Sequence, residues 1–454
     1  MRKKEILVYP VSLGCPKNFV DTEVMAGTML RDAIYITGDP AAADVYFINT
    51  CAFIPDARNE ATDNIKEAVA WKKSGGGSGV IVVAGCLNQW DIEGKYRKEF
   101  PDVDLWLGID ETPNVAEHIK KLVENKLKEK FIGSKRSTYL YDDKTPRLQL
   151  TLPHYAYIKI AEGCDHNCSY CSIPRIRGKL RSRDAASIIS EAESFVSNGV
   201  KELIIIAQDT TFYGDDIDDP NVNLTNLVKS IAEIDGDFWI RIMYTHPASF
   251  PDELIRLYRE CPKLLPYLDM PLQHITDNIL DSMGRKISSE ATVDLLKKIR
   301  REVPGVCVRT TFIIGYPGET EEDFEQLYEF CREYRFDRMG AFTYQSEPYT
   351  RAASLPDKVD AETAEKRRDR LMALQKEISL EKNRSLVGRT FDVLIDSVTE
   401  NGVGIGRSYM DAPEIDSLIY VTGVDDLEPG DLVSAEVVNF SEYDLQAEFI
   451  SLIS

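Results

Sequence analysis

The stretch YAYIKIAEGCDHNCSYCSIPRIRGKLRSR, residues 155–183, decides how the chain is read. Its apolar alternation at Tyr155, Tyr157, Ile158 and Ile160 predicts a strand running into a loop. That loop carries Cys164, Cys168 and Cys171 at Cys-x3-Cys-x2-Cys spacing. Three thiols so close together make a soft-metal site, because thiolate is the ligand that zinc, copper(I) and iron–sulfur clusters prefer. A structural zinc needs a fourth ligand, for which His166 is the nearby candidate. A four-iron cluster on three cysteines instead leaves one iron open to a substrate or cofactor, which is a catalytic arrangement. An iron–sulfur cluster is therefore expected on Cys164, Cys168 and Cys171.

Upstream, residues 1–123 alternate apolar runs with helical segments. Cys15 follows the run Ile6–Val11, Cys51 follows Asp44–Asn49, and Cys86 follows Val80–Ala84. Each thiol falls just past the C-terminal end of a predicted buried strand, and the intervals of 36 and 35 residues fit one strand–helix–strand unit each. Ligands of open α/β sheets gather beyond the carboxyl ends of the strands. Cys15, Cys51 and Cys86 therefore form a second three-cysteine metal site, drawn from distant segments. The alternative is three inert buried cysteines. Small, turn-forming or polar neighbours (Gly14, Pro16, Thr50, Gly85) argue against it. The run Gly75–Gly79 precedes a strand and lacks a following Lys-Ser/Thr pair, so it reads as a flexible connector rather than a phosphate loop.

Downstream, residues 124–153 are polar and weakly periodic, a linker. Residues 154–386 repeat strand–helix units, with strands expected at Leu203–Ala207, Phe238–Tyr244, Leu265–Met270, Val306–Ile314 and Phe336–Phe342. Serial units of this kind imply a parallel sheet and a partial barrel with its chemistry at the strand ends. Those ends carry Gln208, Asp209, His246, Gln273, His274 and the GYPGE run at 315–319. His246 and His274 are each candidates for catalysis or for a structural hydrogen bond. Cys261, Cys307 and Cys331 lack ligand spacing and read as core. A charged helix over residues 360–386 leads to residues 387–454, whose five short strands predict a small antiparallel barrel. The fold class is α/β: an N-terminal three-layer α/β domain, a central partial (β/α) barrel and a C-terminal β-barrel.

Composition sets the frame. A chain of 454 residues with 43% hydrophobic and 28% charged residues is a soluble protein of two to three domains. It has no apolar run of the ~18–20 residues a membrane span needs. Its start, MRKKEILVYPVSLGC, is interrupted by Pro10 and lacks a signal-peptide shape, so a cytoplasmic location is expected. Nine scattered cysteines favour metal binding over disulfides. The net charge is −21, and residues 388–454 hold fourteen Asp and Glu against Arg389 and Arg407. A surplus of twelve negative charges on so small a domain repels a nucleic-acid backbone and attracts a basic protein.

These motifs together resemble the radical S-adenosylmethionine methylthiotransferases: the cysteine loop with Tyr170 before its last thiol, SLGCPKNFVDTE, NTCAFIPDAR and AGCLNQ upstream, and a small TRAM-type barrel downstream. SLGCPKN, YLDMPLQH and TTFIIGYPGET are similar to the RimO branch, which modifies an aspartate of the twelfth protein of the small ribosomal subunit. The tRNA-modifying MiaB branch reads closer to GCQMN and PVQSGS. The resemblance implies two four-iron four-sulfur clusters, one on Cys164, Cys168 and Cys171 and one on Cys15, Cys51 and Cys86. It implies S-adenosylmethionine as both radical source and methyl donor, an external electron donor, and a methylthio group placed on the aspartate β-carbon. Tyr170, Arg241, Ile313 and Gly315 fall where such enzymes line the cofactor pocket, and His274 is a catalytic candidate. One departure is Tyr349, where the family tends to a glycine in the run after the last barrel strand, so a different local backbone is expected there. Two rival readings are a tRNA adenosine methylthiotransferase, which the acidic barrel disfavours, and a non-catalytic iron–sulfur scaffold, which the two triads disfavour.

Overall fold

Apolar runs in the first 132 residues assemble one parallel sheet in the computed structural model, which describes residues 5–75, 79–423 and 426–454. Its strands are β1 (Ile6–Ser12), β2 (Ile34–Ile36), β3 (Val45–Thr50), β4 (Val80–Gly85), β5 (Leu105–Leu107) and β6 (Phe131–Ile132), ordered β2-β1-β3-β4-β5-β6. β3 is buried along its whole length, as its apolar run VYFI requires. The order reverses between β1 and β3, the switch point at which such sheets open a crevice. Most of the Gly75–Gly79 run, residues 76–78, lies outside the described residues.

The sheet extends past residue 123, because β6 adds its sixth strand through Trp106 and Phe131. The expected linker is a belt instead. Residues 133–153 form no helix or strand but are fastened on both sides. Asp110 accepts hydrogen bonds from Ser137 Oγ and from the Thr138 and Tyr139 amides, at 2.8–2.9 Å. Arg147 pairs with buried Glu23 and Glu191, and Tyr141 is buried in a core shared by all three domains. Charged residues such as Lys135, Arg136 and Lys144 stay exposed, while Ser137, Tyr141 and Arg147 fasten the segment to its neighbours.

The central sheet is open, parallel and six-stranded: β7 (Tyr155–Lys159), β10 (Glu202–Ile206), β11 (Trp239–Ile242), β12 (Leu264–Asp269), β13 (Cys307–Ile314) and β14 (Arg338–Thr343), with β7 and β14 at the edges. Between β7 and β10 a two-stranded clip, β8 (Ala161–Glu162) and β9 (Arg181–Ser182), closes the base of the cysteine loop. The helix Ala361–Arg384 lies along the β14 edge and leads to a closed barrel of β15 (Thr390–Val398), β16 (Gly404–Arg407), β17 (Ile419–Thr422), β18 (Leu432–Phe440) and β19 (Leu445–Leu452). No helix among the described residues is long and apolar enough to cross a membrane.

Two buried ionic seams hold the domains together. Lys159 and Arg177 of the central domain meet Asp21 of the N-terminal domain and Glu162, all of them nearly inaccessible. Burial pushes the Glu162 carboxyl up, but Lys159 and Arg177 outweigh it and hold the group at about 2. At the barrel, Glu202 pairs with Arg241 and Arg407, Asp396 pairs with Arg407 and His154, Arg309 meets Asp416, and Arg338 meets Asp411. Part of the barrel's acidic surplus is therefore spent on its own seam.

The backbone at Tyr349 departs from expectation in the opposite sense. The tyrosine takes a glycine-like φ of 73°, so the left-handed turn is kept despite the side chain. Arg175 sits 3.8 Å over its ring, and nearby Glu347 binds Arg58 of the N-terminal domain with both oxygens. These contacts hold the strained residue in place.

Candidate functional site

All six triad cysteines line one cavity of about 340 Å³ between the N-terminal and central domains. The N-terminal domain delivers Cys15, Cys51 and Cys86 from the carboxyl ends of β1, β3 and β4. Two glycines make this convergence possible. Gly14 turns at φ 87°, and a Cβ there would lie 2.8 Å from Cys51 Sγ. Gly85 turns at φ 93°, and a Cβ there would lie 2.2 Å from Asn49 Oδ1 and 2.7 Å from the Thr50 carbonyl. Both positions forbid a side chain on two counts, conformation and space. Arg177 closes this side of the cavity, its Nη2 donating to Cys86 Sγ at 3.0 Å and to Asn18 Oδ1 at 3.0 Å.

The opposite wall is the loop after β8. Cys171 N donates to the Cys168 carbonyl at 3.1 Å, and Ser169 N to the Met283 carbonyl at 2.9 Å. Ser169 Oγ is hydrogen-bonded to Tyr316 OH of the GYPGE run, which anchors the loop to the end of β13. Asn167 in this loop, Tyr244 after β11 and Gln273 after β12 all have positive φ without being glycine (54°, 61° and 73°). Strained residues of this kind cluster where a structure over-determines a functional geometry.

The donor set fits soft metals. All six cysteines are free thiols. Burial pushes Cys51 up, Cys164 to about 11, and Cys86 and Cys171 to about 12. Such thiols ionise only against a strong local positive charge, which a bound metal supplies. Arg177 beside Cys86 and Arg285, with Nη1 3.9 Å from Cys168 Sγ, add a cation to each triad.

Other polar groups face the same space. His166 pairs with Asp209 instead of completing a Cys3His site, and its ring stacks on His246 at 4.0 Å. His246 Nδ1 accepts from Ala248 N, Nε2 has no hydrogen-bond partner among the described residues, and burial drives the ring to its neutral form. Lys17, at the first turn of helix Pro16–Arg31, lines the cavity with its Nζ 3.2 Å over the Tyr244 ring.

The remaining candidates divide. Tyr170 lines the cavity, with its hydroxyl 3.5 Å from Arg285 Nη1. Arg241 does not: it is fully buried in the barrel seam, its Nε on Glu202 and its Nη1 donating to the Tyr409 carbonyl at 2.8 Å. Its alternation on β11 points it to the sheet face that the barrel covers. Ile313 and Gly315 stand behind the lining. Ile313, like Tyr170, packs against the cluster of Ile279, Met283, Tyr316 and Ala352 and donates its amide to the Gln273 carbonyl, while Gly315 N donates to Glu319 at 2.9 Å. His274 is fully buried and does not line the cavity, its Nδ1 accepting from Thr276 N and its Nε2 3.6 Å from Glu319. Cys307 and Cys331 are core, and Cys261 packs against it. Lys17, Arg177, Tyr244 and Arg285 were invisible as site residues in the sequence. Only Lys17, inside SLGCPKN, stood beside a motif thiol.

Family models match the chain in three blocks: the uncharacterized protein family UPF0004 over residues 7–108, the radical SAM superfamily over 158–331, and a TRAM domain over 387–450. Among solved structures, the radical S-adenosylmethionine methyltransferase TsrM from Kitasatospora setae, with cobalamin and a 4Fe-4S cluster bound, has the same fold. The TM-score is 0.58 at 14% identity, with 77% of each chain covered. The fold and the cysteine loop thus define a radical S-adenosylmethionine enzyme, a class that implies a four-iron cluster and S-adenosylmethionine as cofactors. The ribosomal protein uS12 methylthiotransferase RimO of Trichlorobacter lovleyi is 42% identical, covering 97% of both chains. That of Desulfitobacterium hafniense is 44% identical, covering 97% of this chain and 98% of its own. The chain belongs to the RimO family of radical S-adenosylmethionine methylthiotransferases.

Proposed function

We propose that this enzyme converts the β-carbon C–H bond of one aspartate in ribosomal protein uS12 to C–SCH3, in the cytoplasm and with an external electron donor. The observation that carries the reading is the pair of cysteine triads facing one cavity. Cys164, Cys168 and Cys171 would hold the cluster that binds S-adenosylmethionine, and Cys15, Cys51 and Cys86 a second four-iron cluster. When bound, these groups supply the hydrogen-abstracting radical, the sulfur and the methyl group.

The chain's own task is placement. Gly14 and Gly85 let three strand ends close on one point, and the Ser169–Tyr316 bond fixes the facing loop. Tyr170, Phe53, Ile173 and Ile176 wall the space with apolar surface that keeps water from a reactive carbon. Arg285 and Arg177 offset the negative charge of the thiolates.

The barrel's outer face supports a basic protein as substrate. Glu436 and Glu448 stand directly opposite each other on β18 and β19, both exposed, with exposed Asp392 on β15. Facing like charges weaken a sheet, and a cationic partner relieves them. The test incubates anaerobically reconstituted enzyme with uS12, S-adenosylmethionine and a reductant. A methylthio group on one uS12 aspartate is expected; an unmodified uS12 together with methylthiolated tRNA would overturn the reading.

A further inference from the structure

Among the described residues three Lys and Arg side chains line the cavity, and two of them have hydrogen-bonding partners. Arg177 donates to Asp21, Glu162, Asn18 and Cys86. Arg285 donates to the Pro271 carbonyl and leans on Tyr170 and Cys168. Lys17 is different. It is only 9% exposed, yet its Nζ has the Tyr244 ring beneath it and no hydrogen bond or ion pair to any described residue. A buried ammonium carries three donors and tolerates burial only when they are met.

Beside Cys15, which belongs to the dispersed triad, the acidic groups that act on Lys17 are Glu162 and Asp269, and both are already committed. Glu162 is committed to Lys159, Arg177 and Gln208, and Asp269 to Arg309 and the Tyr244 amide. Lys17 also stands at the start of a sixteen-residue helix, where the backbone adds positive potential. The ring that supports it belongs to a residue held at φ 61°. The site is built for an anion that arrives from outside.

We propose that Lys17 selects the substrate: its ammonium binds the side-chain carboxylate of the target aspartate between the two triads. The inference rests on the aspartate reading given above. In an aspartate the carboxylate is bonded directly to the β-carbon, so a residue that fixes the one positions the other. An uncharged residue or a nucleobase offers the Lys17 ammonium only a neutral acceptor, and discrimination follows from the weaker hydrogen bond. The other carboxylate that enters the cavity is that of S-adenosylmethionine. Arg285, beside Cys168 with an unpartnered Nε, stands on the cofactor's side, whereas Lys17 is two residues from Cys15.

The test measures equilibrium binding to cluster-loaded wild type, Lys17→Met and Lys17→Arg. The probes are a synthetic uS12 peptide carrying the target aspartate, the same peptide with asparagine there, and S-adenosylmethionine. Iron content checks that each variant is folded and loaded. Wild type should prefer the aspartyl peptide by about tenfold or more. Lys17→Met should bind both peptides alike at the weaker affinity while keeping wild-type affinity for S-adenosylmethionine, and Lys17→Arg should recover part of the preference. A Lys17→Met variant that still discriminates would overturn the assignment alone. So would one that loses S-adenosylmethionine binding instead, since Lys17 would then serve the cofactor. A wild type that binds neither peptide would overturn the aspartate reading and the assignment with it.

Discussion

The two cysteine triads present the same set of three thiols from opposite kinds of architecture. Cys164, Cys168 and Cys171 share one loop eight residues long, so local hydrogen bonds settle their arrangement. Cys15, Cys51 and Cys86 come from three strand ends spread over 72 residues, so their arrangement is a property of a whole sheet. A contiguous site depends on a few anchors; a dispersed one depends on everything that keeps β1, β3 and β4 in register.

The sharpest way to separate the triads is to remove one thiol from each. Cys168→Ala should abolish both S-adenosylmethionine cleavage and methylthiolation. Cys86→Ala should abolish methylthiolation while S-adenosylmethionine is still cleaved, as scored by 5′-deoxyadenosine release. Equal loss of cleavage in both variants would make the triads a single functional unit.

Next in size is Arg177, which ties the dispersed triad to the central domain. Arg177→Met leaves Asp21 and Glu162 to share Lys159 and should cost about 3–5 kcal/mol by denaturant unfolding, the usual penalty for removing one partner from a buried ionic group. Gly85→Ala is milder: it forces a side chain into a left-handed turn against Asn49 and Thr50, at about 1–3 kcal/mol. Iron should be lost from the dispersed site alone. Loss from the loop site as well would show that the sheet supports both.

The smallest effect is a pH dependence of the metal-free protein. Because burial raises Cys164 to about 11 and Cys86 and Cys171 to about 12, these thiols stay protonated at pH 8. Iodoacetamide should label them on the order of a hundredfold more slowly than an ordinary thiol. Labelling should accelerate as pH rises toward 11. Fast labelling at pH 8, read by peptide mass spectrometry, would contradict the burial.

The same contrast explains what the sequence revealed. The loop triad was legible because its spacing is local. The dispersed triad was legible because each cysteine follows an apolar run, and strand-plus-topology reasoning converts that into a shared edge. Arg241 lies in the barrel seam rather than the cavity lining because adjacent positions on a strand face opposite ways, and the covered face is set by Tyr409, 168 residues later. The belt over residues 133–153 hid because its polar groups pair with Asp110, Glu23 and Glu191, contacts with no sequence periodicity. Lys17 carried a motif position but no sign that its ammonium would be left unpaired.

The central claim is that two independent clusters face one cavity. Iron and sulfide content after anaerobic reconstitution tests it directly, comparing wild type with a variant carrying Cys15→Ala, Cys51→Ala and Cys86→Ala together. The account predicts that the variant retains about half of the wild-type iron and sulfide. Retention of the full content, or loss of all of it, would contradict two separate sites.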